Sequence, residues 1–348
     1  MFDVITIGTA TRDVFLTSSL FRILKDKEHL KKNGFLTGEA QCFALGGKIE
    51  IDKPILTTGG GATNAAMTFA RQGFKTTALV KVGDDDAGKE IIKELSGEKV
   101  VSLAVKEKGN GTAYSTILLA PTGERTILVY RGASENLRRE DIPFDKFKAK
   151  WAYVSPGKIS LNAMSIIFDE LFKKKILIAF NPSKYFLGMG MEKIRPLLNK
   201  AKVVILNREE ASYLTKVDFK SVVGIFKKFD EIVPGIVVMT DGPNGVMVSD
   251  GYNIYSAGVF KEKSIVDRTG SGDAFGSGFV AGLIHREEEC KKGLCQIDNI
   301  DYAIRLGSAN ATSVVEHIGA KEGILKKSDF EKSKRWKNLP VKTIKLKS

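Results

Sequence analysis

Short apolar segments alternate with segments of helical periodicity along most of the chain. In chain order, we predict strands at residues 4–8, 77–82, 152–155, 176–181, 203–207 and 237–240 and helices at residues 62–72, 86–95, 162–173, 273–285 and 299–315. Such alternation is typical of a doubly wound α/β fold, in which a mostly parallel sheet carries helices on both faces. Ligands of these folds bind beyond the carboxyl ends of the strands.

Two segments depart from this alternation. Residues 14–58 contain a charged helical pattern at 22–32 and strand-like pieces between residues 41 and 51. Residues 112–130 alternate as a β-hairpin does, and residues 121–124, Pro-Thr-Gly-Glu, are its predicted turn. Together the two segments predict a small sheet that projects from the main one.

The overall composition agrees with a folded α/β protein. Of the 348 residues, 43% are hydrophobic and 27% are charged, which fits one large domain with a modest appendage. The chain has no apolar run of about 18 residues, the length of a membrane-spanning helix, and it opens on the first predicted strand rather than on a signal peptide. We therefore expect a soluble, cytoplasmic protein without a membrane partner.

The net charge of +13 raises the question of a nucleic-acid partner. Seven positive charges lie in the last 17 residues: Lys332, Lys334, Arg335, Lys337, Lys342, Lys345 and Lys347. Trp336 is the one aromatic residue among them, and no recognised DNA- or RNA-binding module accompanies them. We interpret the excess charge as solvation and expect no nucleic-acid partner. The alternatives are an acidic partner, an anionic substrate and, with only the basic tail in support, a nucleic acid.

Residues 267–273, Asp-Arg-Thr-Gly-Ser-Gly-Asp, are the most informative segment for chemistry. Gly270 and Gly272 allow a tight turn whose N–H groups converge on an anion, and a helix that begins near Gly272 adds the positive end of its dipole. An acid in such a loop repels phosphate unless it has a task there. Asp273 suits the task of a general base that accepts the proton of a hydroxyl as it attacks a γ-phosphoryl group. The alternative is a glycine-rich turn with an Asp that caps a helix.

This segment resembles the C-terminal signature of the ribokinase-like, or PfkB-type, carbohydrate and nucleoside kinases, whose usual form is D-T-x-G-x-G-D. Arg268 stands where threonine is usual. A second signature of that family is similar to residues 59–66, Gly-Gly-Gly-Ala-Thr-Asn-Ala-Ala, and it is followed by a Gly-Asp-Asp motif at residues 83–85. The resemblance runs from about residue 2 to residue 323.

The resemblance implies a ribokinase-like fold and an ATP-dependent transfer of the γ-phosphoryl group to a hydroxyl of a small sugar. The kinase domain would span residues 1–330, its β-sheet lid would come from about 14–58 and 101–131, and a basic tail would follow at 331–348. The lid would also form a homodimer. A nucleoside is the alternative acceptor, and a catalytically silent sugar or nucleotide sensor is an alternative that retention of Asp273 disfavours.

The resemblance also assigns roles to single residues. Asp273 is the base, and the loop of Gly270, Ser271 and Gly272 stabilises charge. The acceptor would be bound by Asp13, Gly59, Gly60 and Asn64, and Arg131 is left between a substrate contact and a surface ion pair. The nucleotide would be bound by Thr240, Gly242, Gly245 and, at the base, Asn310.

Metal ions are implied in the same way. Asn207 and Glu210 resemble the N-x-x-E motif that organises Mg²⁺ and its waters, and the alternative is a helix cap with acids in its first turn. The backbone oxygens of Asp267 and Thr269 match positions that bind a monovalent cation such as K⁺ in some members of the family.

Overall fold

The computed structural model describes residues 1–35, 38–120, 125–291 and 299–346. Within these ranges the strands are Phe2–Gly8 (β1), Thr11–Thr17 (β2), Arg22–Lys25 (β3), Glu39–Cys42 (β4), Ile55–Gly59 (β5), Thr76–Gly83 (β6), Val101–Glu107 (β7), Tyr114–Leu119 (β8), Arg125–Tyr130 (β9), Ala149–Ser155 (β10), Leu177–Phe180 (β11), Val203–Asn207 (β12), Ile236–Thr240 (β13), Val246–Ser249 (β14), Asn253–Ala257 (β15) and Val341–Lys345 (β16).

The α-helices within the same ranges are Lys27–Lys32 (α1), Gly61–Arg71 (α2), Asp86–Gly97 (α3), Leu161–Lys173 (α4), Lys184–Gly188 (α5), Met191–Leu198 (α6), Arg208–Thr215 (α7), Val222–Asp230 (α8), Ser271–Lys291 (α9), Asn299–Val315 (α10) and Lys327–Lys332 (α11). None of these described helices is both long enough and apolar enough to cross a lipid bilayer.

Ten strands of the described residues form the sheet at the centre of the molecule, in the order β16-β15-β14-β13-β12-β11-β10-β1-β6-β7. The strands from β7 to β13 in this order pair in parallel, and β14, β15 and β16 extend the sheet with antiparallel pairs. Parallel strands need crossover connections, which the intervening helices provide. The predicted mostly parallel α/β sheet is therefore confirmed.

Each face of the large sheet is covered by helices, as a doubly wound fold requires. On one face, α4, α6 and α8 contribute buried side chains such as Phe168, Leu197 and Phe226. On the other face, α2, α9 and α10 contribute Phe69, Phe279 and others. Helix α9 is buried along Ala274–Arg286, which explains why its sequence lacks the polar stripe of a surface helix.

A smaller sheet lies apart from the large one, and the part of the chain that the structure describes gives it four strands, in the order β5-β2-β8-β9. It is the projecting sheet that the sequence predicted, and we call it the lid sheet. Strand β2 lies between β5, its antiparallel partner, and β8, its parallel partner. Strands β8 and β9 form the predicted hairpin, whose predicted turn at residues 121–124 lies outside the described residues.

Three details of the lid prediction are wrong. Residues 41–51 do not pair with the hairpin, because β4 pairs with β3 in a separate two-stranded sheet and β5 takes the place beside β2. Residues 101–107 belong to the edge of the large sheet. The helix expected at 22–32 begins only at Lys27, after strand β3, and the side chain of Asp26 caps it by accepting the N–H of His29.

The basic segment 331–348 is not a separate appendage as far as its described residues extend. Helix α11 crosses the expected boundary, and Trp336 is buried with its ring edge-on to Phe260 at 5.1 Å between centroids. Strand β16 then completes the edge of the large sheet against β15. The high charge concealed the apolar positions that bind this segment to the domain.

Candidate active site

The loop before α9 has the geometry of an anion-binding turn. Gly270 has a positive φ of 76°, and a Cβ atom there would lie 2.3 Å from the Cβ of Ala320, so only glycine fits. Helix α9 begins at Ser271, whose Oγ donates a hydrogen bond to the carbonyl of Arg268 at 3.0 Å. Among the described residues no acceptor pairs with the N–H groups of Gly272 and Asp273. These amides are available to an anion at the positive end of the helix dipole.

Asp273 lies in the first turn of α9 and contacts the second signature directly. The Nδ2 of Asn64, on α2, donates a hydrogen bond to Oδ2 of Asp273 at 2.9 Å. The two residues are 209 positions apart, so the fold brings the two signatures into one site. Burial raises the pKa of Asp273, and the hydrogen bond from Asn64 opposes part of that rise.

The amide of Asn64 carries a second polar atom beside its contact with Asp273. Its Oδ1 is buried and has no hydrogen-bond partner among the described residues. The amide orientation follows from chemistry, since only the NH₂ group can donate to the carboxylate of Asp273. A buried acceptor without a donor costs free energy, which a substrate hydroxyl can recover.

Asp13 lies on β2 and is 6% exposed. The hydroxyl of Thr11 donates a hydrogen bond to its carboxylate at 2.9 Å, and Ser115 lies beside Asp13 in the register of β8 and β2. Burial raises the pKa of Asp13, and the negative charge of Asp267 raises it further, whereas the hydroxyls of Thr11 and Ser115 lower it. A Cβ atom on Gly59 would lie only 2.0 Å from Oδ2 of Asp13, so the glycine is what leaves room for this carboxylate.

The other predicted acceptor residues occupy different surroundings. Gly60 has a positive φ of 99° and immediately precedes α2, so it turns the chain from the lid sheet into the helix that carries Asn64. Arg131 is 45% exposed on its side chain and forms an ion pair with Glu135 at 3.1 Å. The structure thus places Arg131 in the surface ion pair that the sequence had left as the alternative.

The predicted nucleotide loop, residues 240–245, meets the anion-binding turn at a groove. Its lining residues are Thr240, Gly242, Pro243, Gly245, Val259, Glu262, Arg268, Ser271, Gly272, Phe275, Ser308, Ala311, Thr312 and Val315. The mixture of apolar walls and a few polar groups at one end is typical of a small-molecule site. Predicted phosphate contacts and the first turn of α9 therefore line one continuous groove.

Asn310 does not fit its predicted contact with the nucleotide base. It is fully buried, and its Nδ2 donates to the carbonyl of Ala274 at 2.8 Å. Its Oδ1 accepts the N–H of Leu325 at 2.9 Å. Asn310 instead joins α10 to α9, and its neighbours Ser308 and Ala311 on α10 line the groove. The sequence could not show that this polar residue points into the helix interface.

Asn207 and Glu210 form a reciprocal helix cap at the start of α7. Oδ1 of Asn207 accepts the N–H of Glu210 at 2.8 Å, and Oε2 of Glu210 accepts the N–H of Asn207 at 3.0 Å. Burial raises the pKa of Glu210. In the strand register Asn207 lies beside Thr240, so the cap adjoins the nucleotide loop. One carboxylate oxygen of Glu210 serves the cap, and the second can still bind water or a cation.

Asp267 and Thr269 stabilise the anion-binding turn from within. Oδ1 of Asp267 accepts both the N–H and the hydroxyl of Thr269, at 2.9 and 2.7 Å, and Oδ2 accepts the N–H of Gly319 at 3.1 Å. Both side-chain oxygens of Asp267 therefore bind the protein itself. In the part of the chain that the structure describes, no cluster of three or more His, Cys, Asp or Glu residues could hold a metal ion.

Several residues at the site were not predicted from the sequence. Ser155 at the end of β10 adjoins the helix start, since a Cβ atom on Gly61 would lie 2.0 Å from its Oγ and 3.5 Å from Oδ1 of Asp273. Ser115 reaches Asp13 because the two are paired in the parallel register of β8 and β2. Both are serines near the ends of strands, and their neighbours at the site come from segments far away in the sequence.

Comparison with curated proteins finds relatives along most of the chain. It is 26% identical over 275 residues to an ATP-dependent 6-phosphofructokinase of Thermoanaerobacterium thermosaccharolyticum, with 75% of this chain and 80% of that protein covered. It is 28% identical over 266 residues to a cytidine kinase of Thermococcus kodakarensis, with 75% of this chain and 88% of that protein covered.

Solved structures share the fold at lower sequence identity. Ribokinase from Giardia lamblia has a TM-score of 0.74 at 19% identity, and adenosine kinase from Sinorhizobium meliloti has a TM-score of 0.73 at 22% identity. Each comparison covers 94% of this chain and 97% of the other. The ribokinase-like fold is thereby confirmed.

The model of the pfkB family of carbohydrate kinases matches residues 39–327, which is most of the chain. This range contains the start of α2, the anion-binding turn and the groove beside that turn. The match agrees with the relatives, with the shared fold and with the meeting of two distant signatures at Asp273. The chain belongs to the pfkB family of carbohydrate kinases and is a phosphotransferase with an alcohol group as acceptor.

Proposed function

We propose that this protein transfers the γ-phosphoryl group of ATP to a hydroxyl of a small sugar, with Asp273 as the general base. The observation that carries the proposal is the contact between Asp273 and Asn64 at the first turn of α9, beside the groove. Within the described residues, a carboxylate, an amide oxygen without a donor and backbone N–H groups without an acceptor belong to residues at or next to this contact. A proton acceptor and an anion site side by side are what phosphoryl transfer to an alcohol needs.

In the proposed reaction the acceptor hydroxyl lies against the carboxylate of Asp273. Its oxygen forms a bond to the γ-phosphorus, the bond from that phosphorus to the bridging oxygen of the β-phosphate breaks, and ADP leaves. The hydroxyl proton passes to Asp273. Burial supports this role, because a raised pKa makes the carboxylate a stronger base than an exposed one.

The donor phosphates would occupy the polar end of the groove. The N–H groups of Gly272 and Asp273 face the transferring group from the start of α9, and Thr240 and Gly242 contact the neighbouring phosphates. Donors of this kind stabilise the charge of the transition state without having to reorganise. The exposed guanidinium of Arg268 lies in the same groove and adds positive charge where a polyphosphate would bind.

Metal ions belong to the proposal as well. Asn207 and Glu210 fit Mg²⁺, since the cap leaves a carboxylate oxygen and Mg²⁺ keeps several waters of its own. When bound, Mg²⁺ offsets the negative charge of the donor phosphates. The backbone oxygens of Asp267 and Thr269 are the proposed K⁺ ligands.

Asp13 and Asn64 would hold the acceptor. A carboxylate accepts hydrogen bonds from two neighbouring hydroxyls at once, and vicinal hydroxyls are what a compact sugar offers. A nucleoside is the second candidate, because the ribose of a nucleoside carries the same pair of hydroxyls. The cytidine kinase of Thermococcus kodakarensis and a nucleoside kinase of Methanothermobacter thermautotrophicus, 25% identical over 274 residues, support it.

A coupled kinase assay across pentoses, hexoses, sugar acids, sugar phosphates and nucleosides tests the proposal, with ATP, ADP and GTP as donors. We expect ATP with a free sugar to give the highest kcat/KM. A nucleoside that exceeds every free sugar by more than about tenfold in kcat/KM, a gap of about 1.4 kcal/mol, would assign the acceptor to the second candidate. Absence of phosphoryl transfer to any alcohol in the panel would contradict the proposal.

A further inference from the structure

A buried lysine lies next to the proposed acceptor site without belonging to it. Lys321 is 4% exposed, and its ammonium group donates a hydrogen bond to the hydroxyl of Thr58 on β5. The same hydroxyl is hydrogen-bonded to Glu94 on α3, whose Oε2 lies 3.6 Å from the Nζ of Lys321. Lysine is almost never this buried unless its charge is paired.

The loop that carries Lys321 touches both halves of the proposed site. Ala320 packs against Gly270 of the anion-binding turn, and Gly319 donates its N–H to Asp267 at 3.1 Å. On its other side, Gly319 faces Thr57 of strand β5, since a Cβ atom there would lie 3.2 Å from Cγ2 of Thr57. Residues 319–321 therefore connect the donor side of the site to the lid sheet.

The contact on β5 is close to the acceptor carboxylate. Thr58 directly precedes Gly59, which lies against Oδ2 of Asp13. The positive charge of Lys321 lowers the pKa of Asp13, against the effects of burial and of Asp267. Burial lowers the pKa of Lys321, and the negative charges of Glu94 and Asp13 oppose part of this decrease. The ammonium and the two carboxylates are thus electrostatically coupled.

We propose that Lys321 is a positioning residue of the acceptor site, which fastens strand β5 to the loop after α10 and supplies positive charge to Asp13. Through Thr58 it sets the position of Gly59, and through its charge it favours the ionised carboxylate that accepts substrate hydroxyls. The proposal rests on the proposed function, in which Asp13 binds the acceptor. A lysine with a purely structural role would affect folding stability but would not discriminate between acceptor and donor.

Kinetics of Lys321→Met and Lys321→Arg test this role. We expect Lys321→Met to lower kcat/KM for the acceptor at least tenfold while KM for ATP stays within about twofold, because the donor groove does not include Lys321. Lys321→Arg keeps the charge and should restore most of the acceptor kcat/KM. The matched control is Lys332→Met, an exposed lysine on α11, which should leave both values unchanged.

A double-mutant cycle with Asp13→Asn separates coupling from independent damage. If Lys321 acts through Asp13, the Lys321→Met change should cost at most about threefold in the Asp13→Asn background. Additive losses, or equal changes in the acceptor and donor KM, would overturn the proposal. If Lys321→Met does not fold, Thr58→Val serves instead, because it removes the hydroxyl that Lys321 binds. An unchanged KM for the acceptor in Thr58→Val would then overturn the proposal.

A titration independent of catalysis distinguishes this proposal from the proposed function. We expect the pKa of Asp13, followed by NMR of its carboxyl carbon, to be higher in Lys321→Met than in the wild-type protein, and an unchanged pKa would refute the electrostatic role. Should the wild-type protein phosphorylate no acceptor, the proposed function fails while this titration still decides the role of Lys321.

Discussion

The two sheets of this protein differ in how their strands are protected from solvent. Every residue of β6 in the large sheet is buried, and most of β1 and β12 is as well. In the lid sheet, β9 exposes Ile127, Leu128, Val129 and Tyr130 in succession, so both of its faces are open. Large apolar side chains exposed together mark an interaction surface.

The two sheets contribute to different halves of the proposed reaction: the large sheet to donor binding, which we call the donor half, and the lid sheet to acceptor binding, which we call the acceptor half. The groove for the proposed donor includes Thr240 at the end of β13, a mostly buried strand of the large sheet, and Asp273 lies in the first turn of the buried helix α9. Asp13 and Gly59 lie on the lid sheet, whose outer strand has much of its apolar surface left uncovered. We expect the donor half to tolerate changes in its surroundings, and the acceptor half to respond to changes in the lid sheet and to anything that covers it.

The largest loss of activity should come from a substitution in the donor half. Asp273→Asn keeps the shape of the side chain but removes the proton acceptor, so we expect kcat to fall by about 100-fold or more. Affinity for ATP and the melting temperature should change little. Steady-state kinetics with ATP-binding calorimetry checks this, with the exposed Asp86→Asn as the control. Activity within a few-fold of wild type would remove Asp273 from the mechanism.

The next largest loss of activity should come from a substitution in the acceptor half. Asp13→Ala removes a charged hydrogen-bond partner from the acceptor, and we expect kcat/KM for the acceptor to fall about 100-fold, or roughly 2.7 kcal/mol. ATP binding should remain nearly intact. Comparison of acceptor and donor KM values measures the effect, and a parallel loss of ATP affinity would show that the two halves are not separate.

The pH profile tests both halves together. Burial raises the pKa of Asp273 and of Asp13 above the ordinary value of 3.8, and each must be ionised to work. Activity should therefore fall as the pH drops through the raised pKa values, by about tenfold per pH unit for each group, at a higher pH than an exposed Asp would give. Asp13→Asn should leave only the limb of Asp273. An acid limb centred at or below pH 3.8 would contradict this.

The exposed face of the lid sheet should be covered by a second copy of this chain. Leu128 is 57% exposed, and Leu128→Asp should raise the dissociation constant of the dimer at least tenfold, since a charge enters an apolar interface. Analytical ultracentrifugation measures it, with Tyr252→Asp as the control, an exposed residue between β14 and β15 and far from the lid sheet in sequence. A strictly monomeric wild-type protein at micromolar concentration would show that the lid sheet does not form a dimer.

The smallest effect concerns the metal. Glu210→Gln keeps the reciprocal cap of α7 but removes a charge, so we expect the Mg²⁺ concentration for half-maximal rate to rise about three- to tenfold. Glu209→Gln is the matched control, because Glu209 precedes Glu210 on α7 and lies with it at one surface pocket, outside the reciprocal cap. An identical Mg²⁺ titration for wild type and Glu210→Gln would leave the residue with the role of a helix cap alone.

The contrast between the buried large sheet and the exposed lid sheet also determines how far the sequence predicts the structure. Helix α10 was predicted with its observed bounds, and strands such as β12 were too, because continuous burial leaves an unambiguous apolar pattern. The lid strands pair with distant segments, so local alternation identified β8 and β9 but could not choose between β4 and β5 as partners.

The candidate site shows the same limit. The residue types of Asp273 and Asn64 and the motifs around them indicated a shared site before their contact was known. The burial of Asn310 and the partners of Lys321 could not be predicted, because both depend on contacts between segments far apart in sequence. Polar residues inside apolar helices are ambiguous until the fold shows which way they point.

Strand β16 places the basic C-terminal segment at the edge of the large sheet. It forms the outer edge of the large sheet, where unpaired backbone groups could recruit a strand from another molecule. Lys342 and Lys345 are exposed on this strand, and positive charges on an edge discourage such pairing. Shortening the chain before Val341 would uncover β15, which exposes no lysine and carries a buried Ile254 and Tyr255. We therefore expect the charges at this end of the chain to discourage aggregation through the sheet edge.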